Sequence, residues 1–169
     1  HLSQHNSYFE HAQWNAWVEF KDQRAVGRIS AQIDQLRLER YDDRTGGFGM
    51  LEAEDDNEVF EALFDVAESW LRAKGMETIQ GPFNISINDE CGLLVEGFDT
   101  PPSIMMGHAR PYYATQVENC GYVKAKDVIA YRMHPDFIIT PTMEKIIARS
   151  TRAQKRQFTL RSIQRDRFV

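Results

Sequence analysis

The amino-acid sequence predicts an α/β fold, specifically an α+β arrangement in which a mixed sheet packs on one long helix. Alternating apolar and polar residues in the first third of the chain are typical of antiparallel strands. A long amphipathic segment follows and leads into a further short strand, which favours a parallel pair joined by a helix. The 169 residues, 42% hydrophobic and 27% charged, suffice for one globular core and exclude a disordered or collagen-like chain.

Three antiparallel strands are predicted first. Residues 13–20 alternate with period two, and residues 25–34 resume the pattern after a short polar turn, as in a hairpin. Residues 37–45 are predicted to be a charged loop. A third strand over 47–51 contains glycines that allow a bulge or close backbone approach.

A helix over 56–74 is the strongest element of the sequence. Asp55 is the predicted N-cap, Glu58 stands in capping-box position, and Gly75 supplies a left-handed stop. Apolar residues recur at the helical period, and we expect them to face the sheet. This stripe consists of Val59, Phe60, Leu63, Phe64, Val66, Ala67, Trp70 and Leu71.

The elements after this helix are shorter. A strand over 78–80 is expected to lie parallel to 47–51 through a right-handed crossover, and residues 83–110 are irregular. The remaining predicted elements are a short helix over 111–119 closing at Gly121, a strand or strand pair over 122–133, a helix opening at Thr140-Pro141, and a strand over 158–163.

Charge is unevenly distributed along the chain. The formal net charge is −5, but residues 144–169 carry eight basic and two acidic side chains, +6, which leaves −11 for the rest. A basic segment can bind nucleic acid. The lack of interleaved aromatics and the acidic body favour instead a linker helix that packs on its own domain or a second one. Nucleic acid is therefore not an expected partner.

Composition also bears on localisation and metals. No run approaches the ~20 apolar residues that span a bilayer. Residues 1–10 lack the apolar core of a secretory signal, and the two cysteines, Cys91 and Cys120, lie far apart. We therefore predict a cytoplasmic protein without membrane contact. Because the chain begins with a histidine, we expect a fragment. No metal is predicted, because metal-ligand spacing is absent among His5, His11, His108 and His134.

Several motifs carry a family resemblance. They are FEHA at 9–12, GRI at 27–29, GGFGMLEAEDD at 46–56, GPFNISINDECGLLVEGFDTPPSIMM at 81–106 and YYATQVENCGYVKAKD at 112–127. On these motifs the chain resembles the GNAT acyltransferase superfamily, and more closely a bacterial branch with GPxNxSxNDECGLLVEGFD. The resemblance implies a GNAT-like domain over 1–133, then a basic linker helix and terminal strand over 134–169 leading towards a second half.

The resemblance also implies an acyl-CoA donor such as acetyl-CoA. Typical members bind its diphosphate at a glycine-containing turn between the central strand and the long helix. Here that turn is Glu52–Glu58, which has five carboxylates and neither glycine nor a basic residue. Each carboxylate within ~4 Å of a diphosphate would cost on the order of 1–4 kcal/mol. Capping of the helix is the favoured role for these acids, and binding of a ligand is the alternative.

A candidate site lies in the loop over 81–106. Five hydrogen-bonding side chains fall within seven residues: Asn84, Ser86, Asn88, Asp89 and Glu90. We predict that Asn84, Ser86 and Asn88 bind substrate and that Asp89 or Glu90 is the general base. Together with Glu90, the first three should line one pocket near the carboxyl ends of the central strands. The alternative is a turn in which these side chains bond only to their own loop.

Two adjacent tyrosines are further candidates. Many GNAT enzymes use a tyrosine near the last helix as general acid, four or five residues before a Gly-aromatic pair. Those positions are held here by Gln116 and Val117. Tyr113 is therefore a catalytic candidate and Tyr112 a substrate contact, with packing as the favoured alternative for both.

Two functions remain open on the sequence. The first is an acyl-CoA-dependent N-acyltransferase of unknown acceptor, in which an amine attacks the thioester. The second is a GNAT-shaped domain that does not catalyse and serves as a binding or scaffolding half of a larger protein. Expected partners are a small-molecule ligand and, if the strand over 158–163 pairs with a sheet edge of another copy, a homodimer.

Overall fold

The computed structural model describes residues 2–3, 5–131 and 139–153. The chain divides into two compact units, residues 1–128 and 129–169. The first unit opens with a 3₁₀ turn at Ser7–Glu10 and contains the sheet. None of the described helices is both long and apolar enough to cross a bilayer.

A four-stranded mixed sheet forms the centre of the first unit. Its strands are β1 (Ala12–Lys21), β2 (Arg24–Asp34), β3 (Thr45–Ala53) and β4 (Thr78–Gln80), in spatial order β1-β2-β3-β4. The first two pairings are antiparallel and the third is parallel. The predicted mixed α/β architecture and the direction of each strand are thus confirmed.

Helix α1 (Gln35–Tyr41) covers the first five residues of 37–45, the segment predicted as a charged loop, so that prediction is wrong for 37–41. The Asp34 carboxylate at the end of β2 accepts hydrogen bonds from the backbone N–H groups of Leu36 and Arg37, at 3.0 and 3.4 Å. It is therefore the N-cap of α1. The helix ends at Asp42, whose φ of 48° is left-handed.

Helix α2 (Asn57–Ala73) covers one face of the sheet, as predicted. Six residues of its stripe are buried: Val59, Phe60, Leu63, Phe64, Ala67 and Leu71. Its N-cap is Asp56, which accepts the N–H of Glu58 at 3.0 Å, so the predicted capping box starting at Asp55 is wrong. The predicted left-handed stop at Gly75 is confirmed by its φ of 84°.

The chain after β4 returns in a small hairpin. Strands β5 (Phe83–Asn84) and β6 (Glu90–Cys91) pair antiparallel within the stretch predicted to be irregular. Helix α3 (Tyr113–Asn119) follows, and Gly121 has the left-handed φ of 88° expected after it. Residues 122–131 form no strand, so the strand predicted over 122–133 is wrong for its described part.

The second unit contains helix α4 (Pro141–Ala153), which the Thr140-Pro141 pair predicted. Thr140 Oγ1 accepts the N–H of Met143 at 3.4 Å. The predicted strand over 158–163, and the homodimer that depends on it, lie outside the described residues and remain predictions.

Candidate functional site

Strand β3 contains a β-bulge where the chain after β4 crosses it. Arg28 pairs with Glu52 and Ser30 with Gly49, so β3 has one residue more than β2 over this stretch. Met50 lies inside the bulge with a left-handed φ of 47°. The irregularity turns the Met50 N–H away from the ladder and makes it available to a side chain.

Asn84 stabilises this bulge. Its Oδ1 accepts the Met50 N–H at 2.7 Å, and its Nδ2 donates to Glu90 Oε2 at the same distance. The structure therefore brings Asn84 and Glu90 together at the backbone of β3. Neither residue lines the cavity that contains Ser86 and Asn88, so the four residues do not share the single pocket predicted for them.

A cavity of about 600 Å³ lies on the sheet face opposite α2. Gln32 of β2 faces this cavity. Gly27 of the same strand is an odd number of residues away, and a Cβ added there would meet the α2 side chains Val59 and Leu63. The volume of this cavity is in the range of small-molecule binding sites. Among the lining residues are Tyr8, Gln32 and Asp34, the α1 residues Leu36, Arg37, Arg40 and Tyr41, and the loop residues Phe83, Ile85, Ser86, Ile87 and Asn88.

Ser86 links this cavity to Asp89. The Ser86 hydroxyl donates to Asp89 Oδ2 at 2.7 Å and accepts the backbone N–H of Asn88 at 3.2 Å. Two predicted substrate-binding residues, Ser86 and Asn88, thus line the cavity, and the predicted base Asp89 lies directly behind Ser86. The serine-containing turn offered as the alternative is present as well, so the local turn and the cavity wall are the same feature.

Gln32 forms part of the cavity wall although it is only 3% exposed. Its Nε2 donates to the backbone carbonyl of Phe83 at 2.9 Å, which fixes the loop to the sheet. Its Oε1 is buried and has no hydrogen-bond partner among the described residues. A buried acceptor without a partner is unfavourable, so this amide is a candidate for contact with a ligand.

Asp34 adds negative charge to the cavity, and Tyr8 lies beside it as a neutral phenol. Asp34 Oδ1 lies 3.0 Å from His11 Nδ1 and also receives the two N–H groups at the start of α1. Burial, followed by the charges of Asp34 and Asp89, raises the pKa of the Tyr8 phenol. Both carboxylates therefore act on the part of the cavity where Tyr8 lies.

Sequence reasoning did not single out Gln32, Asp34 or Tyr8 as site residues. One signal was available: Ser30, Gln32 and Asp34 alternate with apolar residues in β2, which indicates a polar face. The pattern could not show that this face would be covered, because the covering elements, α1 and the loop after β4, were not predicted as structure.

Tyr112 and Tyr113 lie at the end of β3, in contact with its backbone. The Tyr113 hydroxyl donates to Glu52 Oε2 at 2.8 Å and accepts the Ala53 N–H at 2.9 Å, while Tyr112 donates to the Ala53 carbonyl at 2.8 Å. Desolvation raises the pKa of both phenols. Tyr112 also lines a second cavity of about 340 Å³ with Arg28 and Glu52. These contacts favour the packing alternative.

Tyr113→Phe is expected to lower the free energy of unfolding by about 1–3 kcal/mol, because the Ala53 N–H loses its partner in a buried position. Urea denaturation followed by circular dichroism measures the change. Tyr41→Phe is the matched control: its ring is 61% exposed, and a change below about 0.5 kcal/mol is expected. Equal effects of the two substitutions would contradict the structural role of the Tyr113 hydroxyl.

The turn Glu52–Glu58 uses its carboxylates for contacts within the protein. Glu54 pairs with Arg24, Asp55 accepts from Gln116 Nε2 at 2.7 Å, and Asp56 caps α2 and lies 3.2 Å from Lys21 Nζ. The hydrogen bonds from Arg24 and Lys21 lower the pKa of Glu54 and of Asp56 respectively. The turn is therefore negatively charged at neutral pH, and its residues do not fit the diphosphate of a CoA donor.

The chain is similar to two curated bacterial proteins. It is 47% identical to protein YghO of Escherichia coli (strain K12) over 170 aligned positions, which include all of this chain and 43% of that protein. It is 52% identical to bacterial ceramide synthase of Caulobacter vibrioides (strain NA1000 / CB15N) over 128 positions, 75% of this chain and 33% of that protein. The chain thus spans less than half the length of either relative.

The relatives suggest an acyltransferase-like family. That statement rests on the name bacterial ceramide synthase and agrees with the motifs at a coarse level. No protein-family model matches the chain, and no solved structure matches it. The finer assignment to the GNAT superfamily stays a prediction.

Proposed function

We propose that this chain is part of an N-acyltransferase and contributes the acceptor-binding cavity and a proton acceptor. The observation that carries the proposal is the 52% identity to a protein named bacterial ceramide synthase. A ceramide is the N-acyl derivative of a long-chain amino alcohol, so a synthase of that name joins an acyl group to an amine. The proposed acceptor of this chain is accordingly a primary amine of the amino-alcohol class.

Asp89 is the proposed general base of this reaction. An acceptor amine in the 600 Å³ cavity would meet Ser86, whose hydroxyl already donates to Asp89 at 2.7 Å. The neutral amine nitrogen bonds to the acyl carbon, the carbon–sulfur bond of the thioester breaks, and CoA leaves as the thiolate, which takes up a proton from solvent. The amine proton passes to the Ser86 oxygen while the Ser86 proton moves to Asp89. Glu90 is the weaker candidate, because Asn84 occupies one of its carboxylate oxygens away from the cavity.

The acyl donor is proposed to be an acyl-CoA on the strength of the motif resemblance. The acidic turn Glu52–Glu58 does not support diphosphate binding, so no residue is assigned to the donor there. Full-length protein incubated with sphinganine and either acetyl-CoA or palmitoyl-CoA tests the proposal. Amide product is measured by mass spectrometry and free thiol with a chromogenic reagent. Absence of both products with both donors would contradict an acyl-CoA-dependent enzyme.

Asp89→Asn is expected to lower kcat by about 100-fold, because the variant cannot accept the amine proton. Asp99→Asn is the matched control: it removes the same charge from an exposed position in the same long loop and should leave kcat unchanged. Equal activity of Asp89→Asn and wild type would remove Asp89 from the mechanism.

A second candidate function is a binding domain without catalysis. The negatively charged turn at Glu52–Glu58 favours this function. Its carboxylates already bond to side chains of the protein, whereas a CoA diphosphate requires hydrogen-bond donors at this turn. In that case the full-length protein would bind the amine without releasing thiol from either acyl-CoA.

A further inference from the structure

Two acceptor groups stand next to each other on one strand of the cavity wall. Gln32 and Asp34 are two residues apart in β2, so their side chains lie on the same face of the sheet, with Cα atoms roughly 7 Å apart. Both line the 600 Å³ cavity. The mechanism proposed above uses neither residue.

Asp34 retains an oxygen for a ligand. The three contacts that fix this carboxylate, from His11 and from the N–H groups of Leu36 and Arg37, all end on Oδ1. Nothing among the described residues bonds to Oδ2, and the side chain is 28% exposed. The carboxylate is therefore held in place by one oxygen while the other is available.

The nearby guanidinium groups do not occupy Asp34. Arg37 forms a two-pronged pair with Asp43, at 2.6 and 2.7 Å, and this pairing lowers the pKa of Asp43 to about 2. Asp43 thus stays charged and keeps Arg37 engaged. Arg40 stacks on the Tyr41 ring, with its guanidinium carbon 5.7 Å from the ring centre.

We propose that this cavity is an ammonium-binding site, in which Asp34 Oδ2 pairs with the charge of a primary amine and Gln32 Oε1 accepts one of its N–H groups. At the Asp34–Gln32 wall, two hydrogen-bond acceptors, one of them charged, favour a cation with several donors over a neutral alcohol, although Arg37 and Arg40 also line the cavity. The inference rests on the proposed function in one respect: Asp34 and Gln32 become the residues that select an amine as acceptor, and the bound ammonium loses one proton to water before it reacts as the neutral amine. It extends that function to specificity.

The test is a titration of the full-length protein with hexylamine, with 1-hexanol as the uncharged probe of equal length, followed by NMR. Asp34→Asn is expected to weaken hexylamine binding at least about tenfold and to leave hexanol binding unchanged. Asparagine is as good an N-cap as aspartate, so α1 should be retained. Glu39→Gln, which removes a charge from an exposed position of α1 outside the cavity, should change neither affinity. Unchanged hexylamine affinity in Asp34→Asn would overturn the proposal.

Gln32→Met removes the acceptor and should weaken hexylamine binding about fivefold or more. The matched control is Ser30→Ala, because Ser30 also has a buried unpartnered oxygen on this strand face but does not line the cavity. If Gln32→Met fails to fold, Leu36→Trp tests whether hexylamine binds in this cavity. Leu36 lines the cavity and is 56% exposed, so the larger side chain should obstruct the site without disturbing the core. Full hexylamine affinity in a folded Leu36→Trp variant would overturn the proposal.

Activity measurements separate this inference from the proposed function. If the wild type forms amide and Asp34→Asn leaves the KM for the amine unchanged, the ammonium site is wrong while the function stands. If no variant forms amide but hexylamine binding still depends on Asp34, the function is wrong while the ammonium site stands.

Discussion

Gly49→Ala is expected to lower the free energy of unfolding by about 3 kcal/mol. A Cβ atom at Gly49 would overlap the backbone carbonyl of Phe83, where the chain after β4 crosses the sheet. Backbone cannot move aside as a flexible side chain can, so the crossing segment must lift from β3. That movement would also strain the bond from Gln32 Nε2 to the same carbonyl and the bond from Met50 to Asn84.

Urea denaturation of Gly49→Ala against Gly47→Ala tests this expectation. Gly47 lies on the same strand face, but an added Cβ would approach only side-chain atoms, Nε2 of Gln32 at 3.0 Å and its Cγ at 3.2 Å, which need to shift by a few tenths of an ångström. Gly47→Ala should therefore cost about 1 kcal/mol or less. If the two variants are equally stable, the close crossing of Phe83 over β3 is not maintained in solution.

Phe60→Ala is expected to cost about 3–5 kcal/mol of unfolding free energy, because the residue is fully buried and its removal leaves a cavity. Its ring also supports the two tyrosines, with centroids 5.5 Å from Tyr113 and 6.4 Å from Tyr112, both edge to face. The substitution should therefore loosen α3 as well as the core.

Thermal and urea unfolding measure this effect, and Phe20→Ala is the control. Phe20 is 60% exposed, so the same change of side chain should cost less than about 1 kcal/mol. A small effect of Phe60→Ala would mean that α2 does not pack on α3 as the structure describes.

Part of the fold could be predicted because its signals are local and repeated. The alternation of apolar and polar residues extends over several residue pairs in β1 and in β2, and the apolar stripe of α2 extends over more than two turns. A single irregular position therefore does not hide either pattern. The parallel placement of β4 follows from the long helix between β3 and β4, which returns the chain to the end of the sheet where β3 began. The wrong predictions concern short elements. In such an element a single capping residue can decide whether a helix forms, as Asp34 does for α1.

For the candidate site, the sequence could predict only which polar side chains take part. The sequence singles out Asn84, Ser86, Asn88, Asp89 and Glu90 because long ordered loops are often functional and these five hydrogen-bonding side chains fall within seven residues. Their division into a bulge-stabilising pair and a cavity wall could not be predicted, since it depends on the Met50 N–H, 34 residues from Asn84 along the chain.

The sequence by itself determined where β1, β2 and α2 lie along the chain and the polar character of the alternate face of β2, because each follows from the spacing of side chains along one segment. Tertiary structure alone decided which of these polar groups meet. The segment at Phe83, which crosses Gly49, and the α1 residues line the cavity together with Gln32, and this arrangement depends on contacts between segments distant in sequence. Steric fit and hydrogen bonding between such segments are properties of the folded chain, and no local pattern encodes them.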